Sequence, residues 1–134
     1  MKATLQPGVS LTRQIVVDRP RTIEFMGEDG RVYGTPYMIL DIEETCRLLI
    51  VQHADPGEDS VGIEVNVKHL AATLPNMTVE ITVIQRLSTM PSVISVQRLT
   101  KSGGKNAAIK RAPRGRPSQT RAQFTSVVPS ASAR

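Results

Sequence analysis

Hydrophobic residues recur at helical spacing over residues 35–54 and at alternating positions in shorter stretches on either side. Thr35 and Pro36 are typical of a helix start, and Pro56 and Gly57 mark the chain beyond its end. The pattern predicts one helix of roughly 27 Å that reaches about residue 53 or 54. Such a helix is long for a small domain and needs a sheet to wrap it. Its buried face is expected to comprise Met38, Ile39, Ile42, Cys46, Leu49 and Ile50.

The alternating stretches predict β-strands. Residues 13–25 are expected to be extended, with a break around Pro20, and residues 92–98 form a weak strand. Residues 61–70 and 78–84 each alternate between apolar and polar positions. Strands on both sides of one long helix predict an α+β fold with an antiparallel sheet. The faces expected to point inward carry Ile63, Val65, Val67 and His69 in one strand and Val79, Ile81 and Val83 in the other.

Charge divides the chain into two parts. Up to Glu80 there are seven basic and twelve acidic residues, a net charge of 7 − 12 = −5; from Arg86 onward there are ten basic residues and no acidic ones. After Leu99 the periodicity gives way to Gly, Pro, Ser, Ala and basic residues. We therefore predict a domain over residues 1–98 and a basic tail over residues 99–134 that is disordered or not homologous to the family named below.

Several classes of protein are disfavoured. The chain has one cysteine, Cys46, and no apolar segment long enough for a signal peptide or a membrane span. It has no P-loop and no His/Cys cluster with metal-ligand spacing, and its four aromatic residues are few for a single-stranded nucleic-acid binder. We predict a cytoplasmic, soluble protein with no metal, no cofactor, no membrane association and no specific nucleic-acid partner.

Three polar residues attract attention, and each also has a structural explanation. Glu43 lies at the edge of the apolar arc, where it either pairs with Arg47 or serves as a base or nucleophile. His69 is either a buried histidine bonded to the backbone or a catalytic group. Thr35 caps the helix, and its hydroxyl also lies where a developing oxyanion is favoured. Together the three supply the groups needed for acyl transfer, but the pattern leaves open whether they meet.

Three motifs resemble those of the fluoroacetyl-CoA thioesterase family of the hot-dog superfamily. They are T-P-Y-M-I-L-D-I-E-E-T-C at residues 35–46, P-G-E-D-S-V-G at residues 56–62, and V-x-H-x-A-A-T-x-P-x-x-T-V at residues 67–79. The spacings between Thr35, Glu43 and His69 match the family without gaps. The resemblance covers the segment from about residue 34 to residue 83, with weaker similarity towards the N-terminus.

The resemblance implies a hot-dog fold, in which an antiparallel sheet wraps one long central helix and two subunits pair to form composite active sites. It implies an acyl-CoA substrate and a homodimer. By the same resemblance, Glu43 acts as base or nucleophile on the thioester carbonyl, His69 orients groups and transfers a proton, and Thr35 hydrogen-bonds within the triad. Gly62 matches a family glycine close to the substrate.

Two departures from the family pattern narrow these expectations. The segment between Phe25 and Thr35 is shorter than in the fluoroacetate enzyme and lacks the phenylalanine of its lid, so a short or medium acyl-CoA is expected rather than a fluorinated one. After Glu80 the family's last two strands have no recognisable counterpart, so the C-terminal strands are expected to be incomplete. The loss of acidic residues there is what a reading-frame slip in GC-rich DNA would produce, a hypothesis that the other two frames of the gene would test.

Two alternatives to an acyl-CoA thioesterase stay open at this point. One is a non-catalytic hot-dog module that binds an acyl-CoA without hydrolysing it. The other is a nucleic-acid-binding protein that acts through the basic tail, although any such tail binds polyanions weakly and in a salt-dependent way.

Overall fold

The structure, a computed structural model, describes residues 1–86, 92–102 and 122–127. The strands within these residues are β1 (Ser10–Val16), β2 (Val61–Val67), β3 (Thr78–Gln85), β4 (Ser92–Ser102) and β5 (Ala122–Val127). The helix α1 spans Thr35–Val51, and two short 3-10 turns lie at Arg19–Arg21 and Glu28–Gly30. Strands on both sides of a 17-residue helix confirm the predicted α+β class.

The described strands form one antiparallel sheet in the order β1-β3-β4-β5-β2. The long register between β1 and β3 sets Leu11 opposite Val83 and Ile15 opposite Val79. Their inward side chains meet α1 in a core of apolar residues that excludes water and supplies most of the stabilisation. The core comprises Leu5, Ile15, Val17, Tyr33, Met38, Ile42, Cys46, Leu49, Ile50, Val79, Ile81 and Val83.

The predicted helix and its apolar arc are largely confirmed. Five of the six expected positions are buried, and Ile39 is half-buried. The helix ends at Val51, before the predicted limit, because the amides of Gln52, His53 and Ala54 close turns there. In β3 the predicted alternation is confirmed, since Val79, Ile81 and Val83 are all fully buried.

The N-terminal strand is shorter than predicted. It ends at Val16, because the side chain of Asp18 caps the 3-10 turn that follows. Beyond that turn the chain is held by an isolated bridge between Thr22 and Tyr33 instead of a strand.

The inward face predicted for residues 61–70 is wrong at Ile63 and Val65 in the single chain, whereas Val67 packs against the core. The strand β2 ends at Val67, and Ile63 and Val65 are 58% and 36% exposed. The physical reason is position, because β2 is an edge strand of the described sheet and the core draws its strand residues from β1 and β3. Ile63 and Val65 of β2 are therefore exposed among the described residues.

Part of the predicted tail belongs to the sheet. The strand β4 continues to Ser102, past the expected boundary at residue 98, and β5 pairs with both β4 and β2. The weak strand predicted over residues 92–98 is confirmed as the first part of β4. Local composition hid β5 (Ala122–Val127), because pairing with distant strands stabilises it. Residues 103–121 and 128–134 of the predicted tail lie outside the described residues.

Candidate active site

The backbone just before α1 leaves little room for a side chain at Gly34. A Cβ at this position would lie 2.8 Å from the ring of Tyr37 and 3.2 Å from Ile23. The Gly34 amide donates to the carbonyl of Arg21 at 2.9 Å, which ties the helix start to the preceding loop. Gly34 is itself the N-cap residue, and Thr35 is the first helical residue. The predicted capping role of Thr35 is therefore wrong, and its hydroxyl is available for another partner.

That partner is His69. Thr35 Oγ1 lies 2.8 Å from Nδ1 of His69, which is half-buried in the segment that follows β2. His69 is thus not enclosed in the core, whereas the structural alternative of a buried histidine predicts that it would be. The hydroxyl therefore engages Nδ1, one of the two chemically distinct ring nitrogens. The structure brings together two of the three predicted catalytic residues.

An apolar cleft of about 420 Å³ opens beside this pair. The first turn of α1 forms part of its wall, so the positive end of the helix dipole faces the cavity. Such an end favours a carboxylate or a developing oxyanion. The cleft is lined by Ile23, Phe25, Val32, Tyr33, Gly34, Thr35, Pro36, His69, Leu70, Ala71 and Ala72.

Glu43 does not lie with the other two residues. It follows Thr35 by eight residues, which corresponds to about 12 Å along the helix axis, and it does not line the cleft. Its predicted structural partner is also wrong, because Arg47 bonds Asp59 at 2.6 Å instead. Gly62, predicted near the substrate, lies on β2 opposite Ser126 and is likewise outside the cleft lining.

A buried polar network lies behind His69. The Tyr33 hydroxyl donates to Asp41 Oδ2 at 2.6 Å, and Arg21 Nε donates to the same carboxylate at 3.0 and 3.3 Å. Tyr33 and Asp41 are 1% and 3% exposed. Burial, followed by the hydrogen bond to Asp41, raises the pKa of the Tyr33 hydroxyl far above its ordinary value. The hydrogen bond to the same carboxylate raises the pKa of Arg21, so the guanidinium is charged throughout the physiological range.

The sequence interpretation missed this network. The pattern along the chain did not select Asp41 as a functional residue. One local signal was present, because Asp41 lies only about 60° beyond Met38 on the helical wheel. Its partners Arg21 and Tyr33 come from the loop before the helix, and no local pattern indicates that they meet.

Two further observations limit the chemistry of the described residues. They contain no group of three or more His, Cys, Asp or Glu side chains arranged to hold a metal ion. Burial raises the pKa of Cys46 to about 12, with the charge of Glu43 as a smaller cause, so the thiol is protonated and is not a nucleophile.

Among the described residues, no helix is long and apolar enough to cross a membrane.

Solved structures define the class of fold. A thioesterase superfamily member from Thermus thermophilus aligns over 92% of this chain and 83% of its own, with a TM-score of 0.72 and 21% identity. A hot-dog-like protein from Thermanaerovibrio acidaminovorans aligns over 93% and 84%, with a TM-score of 0.72 and 17% identity. A variant of the fluoroacetyl-CoA-specific thioesterase, solved with fluoroacetate and CoA, aligns over 92% and 94%, with a TM-score of 0.68 and 23% identity. The chain therefore has the hot-dog fold.

The sequence places the chain more narrowly within this class. Residues 17–97, more than half of the chain, match the model of the fluoroacetyl-CoA-specific thioesterase family. The fluoroacetyl-CoA thioesterase of Streptantibioticus cattleyicolor is 30% identical over 89 residues, which cover 61% of this chain and 64% of that relative. The chain belongs to the fluoroacetyl-CoA-specific thioesterase family, as the motifs predicted.

Proposed function

We propose that this protein hydrolyses a short or medium acyl-CoA to the free acid and CoA. The observation that carries the proposal is the hydrogen bond between Thr35 and His69 beside an apolar cleft at the start of α1. This arrangement offers a proton-transfer group, an apolar surface for an acyl chain and a helix N-terminus for the oxyanion. Membership of a family named for a thioesterase supports the same activity, and one member has been solved with fluoroacetate and CoA.

In the proposed reaction, Glu43 attacks the thioester carbonyl or removes a proton from the water that attacks it. The tetrahedral oxyanion is stabilised near the first turn of α1. The C–S bond then breaks, and the CoA sulfur leaves as a thiol after taking a proton from Nε2 of His69. Thr35 holds Nδ1 and so keeps the ring oriented through the transfer. If Glu43 attacks directly, water hydrolyses the resulting anhydride and regenerates the carboxylate.

Glu43 can take this role if a second copy of the chain completes the site. The apolar side chains of β2 offer a surface for that copy, since Val61 and Ile63 are 54% and 58% exposed on an edge strand. In a two-fold symmetric dimer, the exposed apolar side chains of β2 in each subunit would be buried against the other subunit. We therefore propose a homodimer in which Glu43 of one subunit faces Thr35 and His69 of the other.

Sedimentation analysis tests the dimer directly. The unmodified chain should have twice the 14.6 kDa mass of the monomer, and Ile63→Lys should shift the protein towards the monomer and lower hydrolysis together. Lys68→Glu is the matched control, because it also changes charge near the end of β2 but on an exposed polar residue. A fully active monomer would contradict the composite site.

The apolar lining of the cleft favours an unfluorinated hydrocarbon acyl chain. Phe25, which is 83% exposed, lies at the cleft together with Ile23 and Leu70. Each further methylene buried there is worth about 0.8 kcal/mol. Hydrolysis should be compared for acetyl-, butanoyl-, hexanoyl-, octanoyl- and fluoroacetyl-CoA. Phe25→Ala should lower kcat/KM more for hexanoyl-CoA than for acetyl-CoA, whereas selectivity for fluoroacetyl-CoA would contradict this part of the proposal.

Gly62 is proposed to lie close to the substrate in the dimer, where a side chain would intrude. Gly62→Val should then raise KM for acyl-CoA while the dimer mass stays unchanged. An unaltered KM would remove Gly62 from the site. A cytoplasmic location also stays a prediction, and fractionation of cells that express the chain would test it.

The main alternative is a non-catalytic module that binds acyl-CoA. One observation favours it, because none of the described residues that line the cleft is an Asp or a Glu. The two functions differ in turnover, so CoA release is measured for the unmodified chain and for Glu43→Ala. Saturable binding without CoA release would favour the module, and release that Glu43→Ala abolishes would favour the hydrolase.

A further inference from the structure

Tyr33 connects the candidate catalytic pair to the buried network. Its ring meets the His69 imidazole edge to face, with ring centroids 6.4 Å apart and planes inclined at 77°. At the far end of the same ring, the hydroxyl donates to Asp41 at 2.6 Å. The side chain of Tyr33 therefore spans the distance between a buried carboxylate and the imidazole.

The backbone of Tyr33 is held as firmly as its side chain. Its amide donates to the carbonyl of Thr73 at 2.8 Å, in the segment that carries His69. An isolated bridge joins Tyr33 to Thr22 on the other side. Because both ends of the residue are tied, its ring forms a fixed wall against His69.

Asp41 in turn is fixed relative to Thr35. Both residues lie on α1. The same helix therefore holds the Thr35 hydroxyl, which contacts His69, and the Asp41 carboxylate, which holds the Tyr33 ring beside His69. Arg21 Nε contacts both oxygens of the Asp41 carboxylate, which offsets the cost of burying its charge. The Asp41 side chain is 4% exposed and that of Arg21 30%. An ion pair with a buried carboxylate contributes little net stability compared with apolar packing, so its position next to the Tyr33–His69 contact calls for another explanation.

We propose that Asp41 is a positioning residue, which acts through Tyr33 to hold the His69 imidazole in the orientation that meets Thr35. Its effect on hydrolysis rests on the function proposed above, whereas its effect on the imidazole does not. The competing explanation is a purely structural link between α1 and the preceding loop. The two differ in what happens to His69 itself when the network is broken.

Imidazole NMR measures that difference without any substrate. The chain has two histidines, and His53, bonded to Thr4 at 2.7 Å, lies outside the network and serves as an internal reference. In Asp41→Asn and Tyr33→Phe the ring ¹⁵N shifts and the tautomer ratio of His69 should change, while those of His53 stay constant. Glu44→Gln is the matched control, because it breaks another arginine–carboxylate pair of α1, that with Arg13. Unchanged His69 resonances in both network variants would overturn the proposal.

A double-mutant cycle supplies the second readout. Asp41→Asn should lower kcat by about tenfold in the native background, since misplacing a catalytic group by an ångström costs up to about 100-fold. In a His69→Gln background the same change should lower the residual rate by less than about twofold, because the group that it positions is gone. Equal losses in the two backgrounds would identify a structural role and overturn the proposal.

The two readouts separate failure of the proposal from failure of the proposed hydrolase function. If the unmodified chain releases no CoA, the hydrolase is refuted, and the NMR comparison still decides whether Asp41 positions His69. Tyr33→Phe removes a single hydroxyl and keeps the ring, so it provides the test if Asp41→Asn fails to fold.

Discussion

Mixing two inactive variants gives the sharpest test of the composite site. Thr35 and His69 are bonded within one chain, whereas Glu43 lies about 12 Å further along the helix. If the carboxylate comes from the second subunit, a dimer of Glu43→Ala with His69→Gln contains one intact site and one doubly altered site. Each variant alone should lose about 100- to 10,000-fold in rate, the usual range for a general acid or base.

The size of the recovery follows from symmetry. Random pairing of equal amounts makes half of the dimers mixed, and one site in each mixed dimer is intact, so about one quarter of the unmodified rate should return. The assay is CoA release after the two variants are unfolded together and refolded. Thr35→Val mixed with His69→Gln is the matched control, because those residues act in the same chain and no intact site can form. No recovery in the first mixture would refute a carboxylate supplied in trans, and recovery in the control would refute the Thr35–His69 pairing.

Three further predictions test the pair, the core and the thiol. Thr35→Val should lower kcat by about tenfold, because a hydrogen bond contributes roughly 0.5–1.5 kcal/mol. Thr35→Ser should retain most activity, because serine keeps the hydroxyl. Steady-state kinetics measures kcat for both variants, and equal losses would contradict the role of the hydroxyl. Ile42→Ala should lower the free energy of unfolding by about 2–5 kcal/mol, since Ile42 is fully buried. Urea denaturation measures this free energy, and a loss below about 1 kcal/mol would show that the core around Ile42 is poorly packed. Cys46 should not react with a disulfide reagent at neutral pH until the protein unfolds. The reason is that the thiol is buried and its pKa is raised to about 12. Rapid reaction in the native state would contradict its burial.

The Cys46 prediction also bears on the enzyme assays. Cys46 is the single cysteine of the chain, so a thiol-reactive dye reports released CoA without a contribution from the folded protein. A dye signal in the absence of substrate then measures the unfolded fraction of any variant. The same assay therefore separates a loss of catalysis from a loss of folding.

Local patterns were sufficient for the helix and for β3. The apolar arc of α1 and the alternation of Val79, Ile81 and Val83 are repeated within a few residues, so they are visible without knowledge of distant contacts. The motifs around Thr35, Glu43 and His69 likewise identified the family. The pattern also selected Thr35 and His69, which the fold does bring to hydrogen-bonding distance.

Tertiary structure alone decided the surroundings of that pair. Periodicity did not select Asp41, because its burial depends on Arg21 and Tyr33, which approach it from the preceding loop. Periodicity also predicted an inward face for Ile63, whereas its edge position leaves it exposed in the single chain. The separation of Glu43 from the cleft is likewise set by which distant segments line the cleft, and no local pattern records it. A pattern along the chain records which side chains share a face, and only contacts between distant segments determine what that face meets.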